Sequence, residues 1–169
     1  VKPAHMTATT PPLLLDFGIA HALSDTHPPD EDAGTAAYMP PPHERVSPAR
    51  DAYGFAVSAY EILFGSHPLL VASDRDIAPA VLRERAAEKI RRGVWRKPTS
   101  VPPWELPPDL RGAELERLDE LFSEALGRAE SRPKSIETWI KQISSCIPAD
   151  DSRISVAPLV MPEAFAPAH

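Results

Sequence analysis

Apolar positions fall into five stretches separated by proline-rich breaks. The first, Leu13-Leu14-Leu15, runs straight into Asp16-Phe17-Gly18. A short apolar run that stops at a carboxylate, with a glycine to turn the chain, can present one acid at the mouth of a cleft. By itself the pattern is equally that of a strand ending in an Asp-containing turn. From Ala20 to Pro42 the pattern lapses into a long Pro-rich loop, acidic in its middle at Asp25, Asp30, Glu31 and Asp32. Loops of that length without structure of their own are usually functional or disordered.

Between Ser47 and Gly65 the residues Ala52, Tyr53, Phe55, Ala56, Val57, Ala59, Tyr60, Ile62, Leu63 and Phe64 cover nearly all sides of a helix. A helix apolar all round is a core helix. Ser47 or Asp51 suits its start and Gly65 its end, and Ser66-His67-Pro68 forbids continuation. A second, amphipathic helix is predicted from Asp74 to Arg92, through Ile77, Val81, Ala86 and Ile90. Its basic end, Arg91 and Arg92, complements the negative helix pole, and Gly93 stops it. After a Pro- and Trp-rich connection from Val94 to Pro108, a third helix runs from Leu110 to Leu126. Leu115, Leu118, Leu121, Phe122, Ala125 and Leu126 form its apolar stripe, and Gly127 ends it. Arg132-Pro133 makes a turn, and Ser135 caps a fourth helix carrying Ile136, Trp139, Ile140 and Ile143, with Glu137 in its first turn. The expected class is mainly α: a helical bundle around a buried central helix, with a short β-strand or hairpin at the N-terminal end. Residues 1–147 make that domain, and the Ala- and Pro-rich residues 148–169 read as a flexible tail or linker.

Composition narrows the function classes. A chain of 169 residues is long enough for one domain with a real core. A net charge of -6 offers no electrostatic footprint for nucleic acid. No run approaches the roughly 18–20 apolar residues of a membrane span, and no signal peptide is visible. Cys146 is the single cysteine, so neither a disulfide framework nor a Cys/His metal cluster is available, and a reducing, cytoplasmic setting is expected. Val1 is not a methionine, which leads us to expect a fragment of a longer protein. Several residues have plain structural readings: His67 as loop packing, Trp95, Trp104 and Trp139 as core or groove filling, Cys146 as an unreactive thiol, and Arg91, Arg92 and Arg96 as a solvated basic patch.

The landmarks come in a telling order. They are Lys2-Pro3, Asp16-Phe17-Gly18, Gly34-Thr35-Ala36-Ala37-Tyr38-Met39-Pro40-Pro41, Asp51 at the buried helix, Gly65 with His67-Pro68, and Arg132-Pro133. Each is weak alone. In this order and spacing, Val1 to Ile147 resembles the C-terminal lobe of a eukaryotic-like (Hanks-type) Ser/Thr protein kinase of bacterial type. The resemblance implies ATP and Mg²⁺ as cofactors, a protein substrate or partner, and a role in phosphorylation-based signalling.

It implies residue roles as well. Asp16 would hold the Mg²⁺ that bridges the nucleotide phosphates, Phe17 would pack inward, and Gly18 would supply the turn. Lys2 would steady the transferred phosphate, and Thr35 would stand in the substrate-facing loop. Asp51 would hold the backbone of the catalytic loop from the buried helix. Ser24 and Thr26 fall in the activation segment as candidate phosphosites. Departures from the family follow the same residues. His5 stands where an asparagine would bind a second Mg²⁺, and imidazole is a softer ligand than that ion prefers. Pro40-Pro41-Pro42 replaces Ala-Pro-Glu, whose glutamate pairs with the arginine of the late Arg-Pro, here Arg132. Either Glu44 substitutes or the pair is lost. The catalytic aspartate, the Gly-rich loop and the strand lysine are not among these residues. The expectation is therefore a partial kinase domain, inactive alone. The alternatives are a pseudokinase or protein-binding module, and a truncated fragment without function.

Overall fold

The computed structural model describes residues 34–42, 44, 47–74, 76–107 and 110–147. The strand expected at Leu13 and the tail from Pro148 lie outside the described residues. Within them the protein is mainly helical and contains no strand. Helices α1 (Pro48–Phe64), α2 (Pro79–Arg91), α3 (Ala113–Leu126) and α4 (Ile136–Cys146) are joined by loops containing short 3₁₀ turns. None of these helices is long and apolar enough to cross a membrane.

Helix α1 packs on α3, which in turn packs on α4 and on the 3₁₀ turn Pro98–Ser100. On another side α1 carries the 3₁₀ turn Ala36–Tyr38, and α2 packs against that same turn. Ala52, Tyr53, Ala56, Val57, Tyr60 and Phe64 of α1 are buried. Leu118, Leu121, Phe122, Ala125 and Leu126 of α3 recur at helical spacing and form the facing stripe. From α4 come Trp139, Ile143 and Cys146, one turn or two apart.

Aromatic rings join the layers. Tyr60 meets Phe64 at 4.6 Å and Phe122 at 5.3 Å between centroids, and Phe122 meets Trp139 edge-on at 5.5 Å. Such tilted and edge-on pairs match the ring quadrupoles and add to area burial. The Trp139 indole N–H donates to the Leu121 carbonyl at 3.1 Å, so that ring is buried without an orphaned donor.

Several expectations change in detail. Helix α1 is not buried all round, since Ile62 is 51% exposed. Pro48 occupies the first helical position, where its missing N–H is harmless, and the preceding Ser47 makes no side-chain cap bond. Helix α2 starts at Pro79, not at Asp74, for the same proline reason. Residues Ala72–Asp74 form a separate 3₁₀ turn, in which Asp74 accepts the Val71 N–H at 2.9 Å. Helix α3 starts at Ala113, not at Leu110, because Gly112 adopts φ +53°, outside the right-handed helix. At the other end of α1, Gly65 takes the left-handed conformation and donates to the Glu61 carbonyl, a frequent helix stop. Ser135 does cap α4, accepting the Thr138 N–H at 3.2 Å. Trp104 is 83% exposed, contrary to its reading as a filler, whereas Trp139 is buried and Trp95 packs partly against the core.

Candidate functional site

The residues singled out in the sequence divide into two groups. Lys2, His5, Asp16, Phe17, Gly18, Ser24 and Thr26 lie outside the described residues. Thr35, Glu44, Asp51 and Arg132 lie within them. Among the described residues no group of three or more His, Cys, Asp or Glu side chains could hold a metal ion.

Thr35 is exposed and immediately precedes the turn Ala36–Tyr38, its carbonyl accepting the Tyr38 N–H at 2.9 Å. The turn seats closely on α1. A Cβ built on Gly54 would lie 3.0 Å from the Tyr38 carbonyl oxygen, so glycine there lets the two backbones approach. Tyr38 reaches over α1, and its hydroxyl donates to Glu61 Oε2 at 2.7 Å. Burial, reinforced by the Glu61 carboxylate, pushes the Tyr38 phenol well above its ordinary range and keeps it a donor. His67, just past α1, holds the Ala37 carbonyl through Nε2 at 2.9 Å. From α2, Arg83 Nε donates to the Pro40 carbonyl at 3.2 Å. Three elements therefore grip residues 37–40 through polar side chains.

Asp51 sits in the first turn of α1 on its exposed side. Partial desolvation raises its carboxyl, and the neighbouring Arg50 pulls the other way. The segment that the family resemblance sets opposite Asp51 lies outside the described residues.

Arg132 is the most fully engaged polar group. Its side chain is wholly buried, and its guanidinium pairs with the Glu44 carboxylate. It also donates to the Gly127 carbonyl from both Nε and Nη2, at 3.1 and 2.9 Å, and to the Ala49 carbonyl at 3.1 Å. The guanidinium carbon stands 4.9 Å from the centre of the Tyr53 ring, within cation–π range. One side chain thus ties the chain before α1, the start of α1 and the end of α3 together. Of the two outcomes left open for Arg132, the structure has the one in which Glu44 pairs with it. The planar guanidinium fork suits this better than an ammonium would, because it supplies several donors in fixed directions.

Two members of this arrangement, Glu61 and Arg83, escaped sequence reasoning; His67 holds a neighbouring loop, in line with its reading as loop packing. Glu61 carried one signal, a lone carboxylate inside an otherwise apolar helix end. Nothing in the spacing connects the three, because their partners lie 23, 30 and 43 residues away. Beside His67 lies an open groove of about 830 Å³, lined among others by Glu61, Leu70, Lys89, Trp95 and Arg96. Its charged groups are already engaged: Lys89 with the Leu69 carbonyl, and Arg96 with Ser66 and Glu105.

Comparison of the chain with protein-family models, with curated proteins and with solved structures finds no match.

Proposed function

We propose that residues 1–147 are the C-terminal lobe of a Ser/Thr protein kinase, whose parent activity is ATP-dependent phosphorylation of protein Ser or Thr hydroxyls in the cytoplasm. The observation that carries this reading is the buried pair of Arg132 and Glu44. It links residues 88 positions apart, from the chain after Gly34-Thr35 to the late Arg-Pro, as the family's glutamate and arginine are linked. The central helix and the turn seated on it support the same reading, since they bring the chain that follows Thr35 against the helix that carries Asp51. Asp16 would hold Mg²⁺, which when bound neutralises charge on the nucleotide phosphates, and His5 would be a poorer ligand for the second ion than the family's asparagine.

The chain itself carries neither a His-Arg-Asp base nor a Gly-rich lid. On this reading its 169 residues alone do not transfer phosphate. The test has two arms. With an N-terminal kinase lobe supplied, ATP plus Mg²⁺ should raise the melting temperature, and Asp16→Asn should abolish that rise. No rise in the complemented protein would count against nucleotide use, and steady phosphotransfer by the isolated chain would overturn its assignment as incomplete. A second reading, a kinase-like protein-binding module that moves no phosphate, is favoured by His5 in place of the family's asparagine. Mg²⁺-independent stabilisation by nucleotide, or none, together with retained partner binding would select it.

A further inference from the structure

His67 is held through both ring nitrogens, and its partners dictate its protonation. Nδ1 lies 3.0 Å from the Leu69 nitrogen and 3.1 Å from the Leu70 nitrogen. Both are backbone N–H groups, which only donate, so Nδ1 must carry a lone pair. Nε2 lies 2.9 Å from the Ala37 carbonyl, which only accepts, so Nε2 must carry the hydrogen. One neutral tautomer satisfies all three contacts, and an imidazolium does not. Pro68 has no N–H, so the next two amides are the ones turned back onto the ring. The arrangement resembles an Asx-turn, with an imidazole nitrogen in place of a side-chain oxygen.

We propose that His67 is a pH-operated clasp between the α1–α2 connection and the turn Ala36–Tyr38. Neutral, it folds Leu69 and Leu70 back on the end of α1 and holds the Ala37 carbonyl. Protonated, its Nδ1–H faces two N–H groups, so the ring must leave them, and the orientation that serves Ala37 is lost too. The charged groups around the ring come from every neighbouring element: Glu61 from α1, Asp74 from the turn Ala72–Asp74, and Lys89 from α2, with the Tyr38 ring edge-on at 6.2 Å. Burial, the largest influence, opposes the charged ring, and so does Lys89; the Ala37 carbonyl and the two carboxylates favour it, and the balance leaves the imidazole below its ordinary value of 6.5. The sign follows. Unfolded His67 takes up its proton near 6.5 while the folded form does not, so the clasp's stabilisation is complete above 6.5 and is lost as pH falls through the lower folded value. The clasp does not depend on the kinase reading; under that reading, the released turn is part of the substrate-facing loop.

Two NMR measurements on the full chain test this. Long-range ¹H–¹⁵N correlation should find the Nε2–H tautomer of His67 at neutral pH, titrating below 6.5. Amide exchange at Leu69 and Leu70, corrected for intrinsic rates, should lose protection about tenfold between roughly pH 7.5 and 5, the loss of one hydrogen bond's worth. A ring protonated on Nδ1 when neutral, or one that titrates at 6.5 or above with unchanged protection at both amides, overturns the proposal. His67→Asn supplies a side-chain oxygen to the same amides without a titrating group. Its protection at Leu69 and Leu70 should be independent of pH over that range, and a loss equal to the parent's would equally overturn the clasp.

Discussion

Around Tyr60, α1 meets α3 and α4 through tilted and edge-on rings; around Tyr38, the chain before α1 is held by carboxylates, guanidinium groups and an imidazole. The first region gains from area. Each buried aromatic or aliphatic side chain contributes about 1.5–3 kcal/mol, and shape can adjust if volume is kept. The second gains from direction. A single hydrogen bond nets about 0.5–1.5 kcal/mol, but removing one partner leaves the other unsatisfied. The comparison teaches that α1 is a scaffold with two kinds of surface. One is a non-directional seam that makes the bundle. The other is a directional grip that positions one short turn.

The most severe way to test that division is Tyr60→Asp. Tyr60 is fully buried among Phe64, Phe122 and Trp95, so an unpaired charge there should cost about 5 kcal/mol and remove the cooperative melt. If this variant melts like the parent, the seam is not where the fold is held. Arg132→Ala comes next. It strips the buried partner from Glu44 and two carbonyls, and denaturant titration should register a loss of about 3 kcal/mol. Adding Glu44→Ala should then cost much less than it does in the parent, because the two side chains act as a pair.

Smaller effects sharpen the boundary between the regions. Tyr38→Phe deletes the bond to Glu61 but keeps the ring, and should cost about 1 kcal/mol. Loss of protection should concentrate in residues 36–39; a uniform loss across α3 and α4 would merge the two regions into one. Tyr53→Phe should change stability by less than about 0.5 kcal/mol. The Tyr53 hydroxyl is buried with no hydrogen-bond partner among the described residues, so its removal orphans nothing, and the ring still faces Arg132. A loss well above that figure would place Tyr53 in the polar grip rather than in the seam.

How much could be read in advance follows the same division. Periodicity placed all four helices, because 3.6-residue spacing is a local property of Leu118, Leu121, Phe122, Ala125 and Leu126 and of their counterparts in α1 and α4. Helix starts were misjudged where a terminator was overlooked: Pro79 for α2 and Gly112 for α3. Trp104 was misjudged because a large aromatic ring predicts burial only on average. Of the candidate site, the sequence marked Thr35, Asp51, Arg132 and the optional Glu44, but it marked neither Glu61 nor Arg83 and took His67 for packing.

The sequence by itself determined the helical class and the helix order, since these depend on the spacing of apolar side chains over a few turns. Only the tertiary structure decided which polar groups meet. Arg132 could have remained on the surface, and Glu44 could have pointed to solvent; their meeting across 88 residues depends on how α3 leads into the Arg-Pro turn beside the start of α1. Likewise His67 becomes a tautomer-locked clasp only because Pro68 turns two amides onto its ring while the chain from Gly34 passes within reach of Nε2. Apolar burial needs only the right face. A hydrogen bond needs a particular atom at a particular distance and angle, and pairs of residues far apart in the chain acquire that only when the whole bundle has closed.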